Sequence, residues 1–168
     1  MNLKKKIGVL LLVVGIGASS IAQEKPASPA ESVTGKINGK TITINYSSPS
    51  VKGRTIWGAL VPFGEVWRAG ANNATTFVTD KELTIENAKL PAGKYTFFII
   101  PEKTECTIIF NKVKEQWGAY EYKQAEDQLR VKVKPVATTT STEKLVYTIG
   151  KDNIVLNWEK WSIPIKVK

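Results

Sequence analysis

The sequence predicts an all-β protein, an antiparallel β-sandwich of jelly-roll-like form with one long irregular loop. Three observations predict it. Short runs rich in Val, Ile, Thr, Tyr and Phe recur along the chain, many with apolar and polar residues in alternation. Turn residues separate these runs, and helical periodicity is almost absent.

The N-terminus stands outside that pattern. Lys4, Lys5 and Lys6 precede an apolar run from Ile7 to about Gly17, and Ser20-Ile21-Ala22 then offers the small residues a signal peptidase reads. The run is too short to cross a bilayer core of ~30 Å as a helix, and no later segment is apolar enough to do so. The expectation is a signal peptide over residues 1–22, export to the periplasm or the extracellular space, and a mature chain with no transmembrane segment. Cleavage after Ala22 leaves Gln23 first, with no cysteine there to accept a lipid. Residues 23–31, with Pro26 and Pro29, read as a flexible spacer, and residues 32–168 as a single domain.

The strands follow in order. Ser32 to Ile37 and Lys40 to Ser47 flank Asn38-Gly39, a strong hairpin signal because both turn residues tolerate positive φ. Ile42, Ile44 and Tyr46 then share one face, opposite Thr41, Thr43 and Asn45. Further strands are expected over Thr75 to Thr79, Glu82 to Ile85, Lys94 to Ile100, Cys106 to Asn111, Leu129 to Lys134, Lys144 to Ile149, Asn153 to Trp158 and Ile163 to Lys168. Gln124 to Leu129 and Ile56 to Leu60 are candidates for a helical turn, and the polar run Thr138 to Thr142 reads as a hairpin loop.

The net charge is +9, falling to +6 without the three signal-peptide lysines. The remaining lysines are spread singly, as in Leu129 to Lys134, where Leu129, Val131 and Val133 alternate with Arg130, Lys132 and Lys134. That is the wet face of a half-buried strand, and export removes nucleic acid as a partner. The lone Cys106 cannot form an intramolecular disulfide and reads as a small buried residue inside a strand.

Two stretches break the β pattern: Ser48 to Ala74 and Asn111 to Tyr122. They hold three of the five tryptophans and two of the three arginines, a composition that argues for functional loops rather than disorder. The chain has no histidine, which excludes Ser-His-Asp and Cys-His nucleophilic sites and the usual zinc sites. It has no phosphate-binding glycine loop either. Neither a catalytic residue, a metal ligand nor a cofactor is therefore assigned. Acids near the loops are few, namely Glu65, Glu115, Glu121, Glu126 and Asp127. The arginines are more telling, since a chain that uses lysine almost everywhere places Arg54 in Lys52-Gly53-Arg54 and Arg68 between Trp67 and Ala69-Gly70. A guanidinium fork beside an aromatic face suits a carboxylate or sugar hydroxyls; the alternative is that both arginines clamp the long loop while Trp57, Trp67 and Trp117 plug the sandwich end.

At these loops the sequence resembles a known family. Pro49-Ser50-Val51-Lys52-Gly53-Arg54, Gly58 to Pro62 with Trp67-Arg68, Gly70-Ala71-Asn72, Leu90-Pro91-Ala92-Gly93-Lys94-Tyr95, Ile109-Phe110-Asn111 and Gln116-Trp117-Gly118-Ala119-Tyr120 closely resemble domain-of-unknown-function family 2911, exported proteins found mainly in Bacteroidota. The resemblance implies export and an all-β fold and brings no activity with it. Two positions depart from it: Asn73 stands where the family leads one to expect Glu, and Cys106 where it leads one to expect Trp. If that acid were catalytic in relatives, this chain would lack the activity.

The leading expectation is a non-catalytic domain that binds a small polar ligand, a glycan fragment or an envelope protein through Arg54, Trp67, Arg68, Asn72, Trp117 and Tyr120. The second is a hydrolase or lyase that uses carboxylates, or Tyr with Lys, for instance Glu65 or Asp127 near Lys52. The third is a structural envelope component with the long loop as end plug.

Overall fold

The computed structural model describes residues 27–168, so the expected signal peptide and the first residues of the expected spacer lie outside it. Its strands are β1 (Ala30–Ile37), β2 (Lys40–Ser47), β3 (Thr75–Thr79), β4 (Leu83–Ile85), β5 (Ala88–Leu90), β6 (Gly93–Pro101), β7 (Cys106–Asn111), β8 (Asp127–Val133), β9 (Val136–Ile149) and β10 (Asn153–Lys166). Six of them form one antiparallel sheet in the order β1-β2-β3-β6-β7-β8. The Asn38-Gly39 turn has φ of 51° and 74°, and Ile37 pairs with Lys40 as a two-residue hairpin requires.

The long β9–β10 hairpin forms the second layer and is widened on both sides. Thr84 of β4 and Lys168 exchange backbone hydrogen bonds of 2.8 and 2.9 Å, which joins the small β4–β5 hairpin to it. On the other side the Leu145 N–H donates to the Pro49 carbonyl and the Val51 N–H to that of Glu143. The expected antiparallel sandwich is what forms, with Ile42, Ile44, Phe77, Phe97 and Phe110 of the sheet sharing one core with Tyr147, Leu156, Trp158, Ile163 and Ile165. Ile163, Ile165 and Val167 are buried while Lys166 and Lys168 are exposed, as their alternation predicts, and Cys106 is fully buried in β7, as expected of a small apolar residue inside a strand.

Several boundaries differ from expectation. Strand β1 starts at Ala30, inside the stretch read as spacer, because the Ser48 N–H finds the Pro29 carbonyl and pairing runs to the end of β2. Thr138 to Thr142, read as a loop, lies within β9: Thr142 pairs with Glu159 and Ala137 with Trp161 across two register shifts. Threonine's polarity suggested a loop, but its branched β-carbon favours extended backbone. Of the helical turns only a 3-10 turn at Gln124–Glu126 forms, and β5 has no counterpart among the expected strands.

The long segment between β2 and β3 is built into the sandwich. Strand β3 begins opposite Phe97, so the last residues of β6 have no partner there. The loop supplies one: Trp67 and Ile99 exchange backbone bonds of 2.8 and 2.9 Å, and the Gly64 N–H donates to the Pro101 carbonyl. A buried strand end otherwise leaves amides and carbonyls without partners, which is costly. Three tryptophans hold the loop there. Trp67 stacks on Trp158 at 5.7 Å and 17°, and Trp57 meets both edge-on at 5.7 and 6.0 Å. The Trp67 indole N–H is satisfied by the Gly70 carbonyl at 3.1 Å. Buried Ala69, at φ 54°, turns its carbonyl to the Thr75 and Tyr147 hydroxyls at 2.9 and 2.8 Å. Gly70 fits closely beside it, since a Cβ there would lie 3.0 Å from the Ser47 carbonyl oxygen.

The second loop, between β7 and β8, lies across the outer face of β6 and β7. There it covers a small separate core of Phe98, Ile109 and Ala74, with Tyr122 edge-on to Phe98 at 5.2 Å. This cover explains why Tyr95 to Ile99 are buried without alternation. The loop closes on Asp127, which accepts bonds from Tyr122 at 2.6 Å and Asn111 at 2.9 Å and pairs with Arg130 at 3.1 Å.

Two stability predictions follow from the packing. Trp158→Ala removes the ring on which both loop tryptophans rest and is expected to cost about 3–5 kcal/mol, read by chemical denaturation. Alkali is the second. Burial pushes the Cys106 thiol up to about 12 from 9.0, and burial with the Asp127 bond pushes Tyr122 up to about 12 from 10.0. Burial also holds Tyr147 well above its ordinary value. Folded values above unfolded ones mean that the fold holds the protonated forms, so their contribution is complete below about pH 9 and is lost as pH climbs toward 12. Melting temperature should fall steeply above about pH 9, and Cys106→Val should make that fall shallower with little change at neutral pH.

Candidate functional site

The two loops meet in space. The Ala74 N–H donates to the Gln116 carbonyl at 3.0 Å and the Gly118 N–H to the Asn72 carbonyl at 3.2 Å, which sets Asn73 opposite Trp117. Asn72 holds the left-handed φ of 58° that this junction needs and reaches the Ser28 carbonyl at 3.4 Å through its amide. Asparagine tolerates that conformation better than most residues.

Beside the junction lies an open cleft of about 740 Å³ on the outer face of the six-stranded sheet. Its floor is a cross-strand row set by register, in which Ser32 lies opposite Asn45 and Asn45 opposite Thr76. The Ser32 hydroxyl donates to Asn45 Oδ1 at 2.8 Å, and Asn45 Nδ2 donates to Thr76 at 3.3 Å. Gln116 and Trp117 wall the cleft from the second loop. Gln116 Nε2 donates to the Thr96 hydroxyl at 3.2 Å, while its Oε1 is buried with no donor. The Trp117 indole is 62% exposed. Three charges line the cleft, Glu31, Lys94 and Glu115, and Lys94 is bonded to Glu115. That hydrogen bond, with the lysine's charge, holds the Glu115 carboxyl below the usual carboxylate range.

The structure distributes the six site residues expected from sequence. Trp117 stands at this cleft and Asn72 at the junction behind it. Tyr120 is 85% exposed and lies over Gly118, where a Cβ would come within 2.8 Å of its ring, but it does not line the cleft. Trp67 is a core residue. Arg68 is half-buried, makes no ion pair among the described residues and has an Nε without an acceptor. Arg54 is exposed and clamps its own turn, with Nε on the Val51 carbonyl at 3.0 Å and Nη2 on that of Ser50 at 2.6 Å. It faces a different cleft, with Trp57, Phe63 and Trp161. Sequence reasoning did not single out Asn45, Thr76, Gln116, Glu31 or Lys94 as a site. The outward face of β2 was legible, but the loop that walls it was not. Asn73, one of the two positions that depart from the family resemblance, lines the cleft.

Among the described residues no group of three or more Asp, Glu, Cys and His side chains gathers as metal ligands, and no helix is long and apolar enough to cross a membrane. No curated protein matches the chain, and no solved structure does. One family model matches, over residues 28–167, and it is described as a protein of unknown function, DUF2911. Nearly all of the described chain falls within that match, and the protein belongs to the DUF2911 family.

Proposed function

We propose that the protein is an exported, non-catalytic binding domain whose ligand is a hydroxyl-rich molecule, a glycan fragment, seated in the cleft beside the loop junction. The observation that carries this reading is the exposed Trp117 indole standing next to a row of hydroxyl and amide side chains. An indole left in water gains by covering the C–H face of a sugar ring, and planar amides with hydroxyls fix the orientation of its hydroxyl groups. Glu31 and Glu115 against Lys94 leave the lining with one net negative charge, so a neutral ligand is favoured over an anionic one.

The carboxylate-hydrolase reading asks for two acids in one concavity, and Glu31 with Glu115 meets that demand. A general acid needs its pKa raised toward neutrality, whereas Lys94 lowers that of Glu115. The cleft is therefore read as binding rather than catalytic.

The reading is tested by titrating the domain with neutral oligosaccharides in a thermal-shift assay. A ligand at 100 times its dissociation constant should add about 2.7 kcal/mol of stability. Trp117→Ala should weaken binding by about tenfold or more while leaving the unliganded melting temperature nearly unchanged, because the ring is exposed. A panel in which no neutral saccharide stabilises the wild type sinks the proposal. A reducing-end assay run in parallel should show no turnover, and turnover abolished by Glu31→Gln would put the hydrolase reading in its place.

A further inference from the structure

We propose that the chain carries a second, independent binding site, which captures a carboxylate borne on a ring with a flat apolar face. It is an open cleft of about 450 Å³ between the turn that carries Arg54 and the stretch of β10 around Glu159.

Three of the residues lining the cleft are aromatic. Trp57 and Trp161 stack at 4.5 Å with their planes 13° apart, and the Phe63 ring lies 6.1 Å from Trp161 at 28°. Trp161 is only half-buried, so part of this aromatic surface faces solvent. Glu159, Lys160 and Trp161 all line the cleft, although neighbouring residues of a regular strand point to opposite faces. The cause is Glu159, which takes a φ of 52° between two register shifts and breaks the alternation. A left-handed glutamate inside a strand is strained, and such strain together with strand irregularity is common where side chains are re-aimed toward a ligand.

The polar groups are mostly donors. Arg54 is held by the Val51 and Ser50 carbonyls, and that segment is itself paired to β9 and tied by the Lys52 N–H to the Glu143 carboxylate at 2.9 Å. Its guanidinium is thus fixed on rigid backbone, and the rest of the fork's donors remain for a ligand. Lys160 is exposed and Glu159 supplies the only acid, so the lining has one net positive charge. A fixed guanidinium, the exposed Lys160 ammonium and an adjoining aromatic face together describe a receptor for a carboxylate beside an apolar ring face. Two sources share that chemistry, a uronic acid and an aromatic carboxylic acid. The charge is opposite in sign to that of the cleft beside Trp117.

The test is a titration of the mature domain, followed through the indole N–H signals in a two-dimensional NMR spectrum, with galacturonate, benzoate and, as the uncharged control, galactose. Trp161→Phe assigns one signal and Trp57→Phe another. Galacturonate or benzoate should shift the Trp57 and Trp161 signals with a dissociation constant in the millimolar range or tighter, and galactose should leave both in place. Whichever acid binds more tightly identifies the ring. Arg54→Gln should weaken that binding about tenfold or more, the usual effect of losing a charge-assisted hydrogen bond. No shift with either acid, an equal shift with galactose, or unchanged affinity in a folded Arg54→Gln variant each overturns the proposal. Should Arg54→Gln fail to fold, exposed Lys160→Gln takes its place, and unchanged affinity there has the same force.

Discussion

The structure depends on how the segment between β2 and β3 is held. No disulfide is available to pin it, and a long irregular segment inside a compact domain loses much entropy on ordering. Trp67 is the fastener. Its backbone completes the pairing of β6 through Ile99, its ring stacks on Trp158, and its N–H closes on the Gly70 carbonyl. One residue thereby serves the sheet ladder, the core and the turn into β3. The Ala69 carbonyl extends the anchorage to the other layer through the Tyr147 hydroxyl.

Both candidate clefts are consequences of that anchorage. Downstream of Trp67 the chain emerges at Asn72 and Asn73, where it pairs with Gln116 to Gly118 of the second loop and makes the wall of the larger cleft. Upstream, Trp57 rests on Trp67 and Trp158 with one edge and stacks on Trp161, which sets the aromatic side of the smaller cleft. The second loop is fixed by other means, through the Asp127 cluster and the small Phe98 core. Rigid supports at both ends suit binding, because side chains held in place lose less freedom when a ligand arrives.

The arginines show the difference between a residue's chemistry and its placement. Their rarity pointed to a demand for the guanidinium fork, and Arg54 does use it, on two carbonyls of its own turn. That is the loop-clamping role, and it also leaves the group rigid at the mouth of a cleft. Arg68 lies beside the fastener itself, lines neither cleft and pairs with no acid among the described residues.

What the sequence by itself determined was whatever depends on local period and turn chemistry. Alternation placed Ile42, Ile44 and Tyr46 inward and Asn45 outward, and Asn38-Gly39 set the first hairpin and its register. The wet lysines of β8 and β10 follow from the same period of two, and Cys106 is buried as a small apolar residue inside a strand. The two irregular loops were legible from their composition, rich in tryptophan and arginine, but their destinations were not. Whether Trp67 enters the core, Trp117 stands in water or Arg54 faces Trp161 depends on contacts between residues far apart in the chain. Tertiary structure alone decided these, because buried area, cross-strand register and loop pairing are properties of non-local neighbours that no short window of sequence contains.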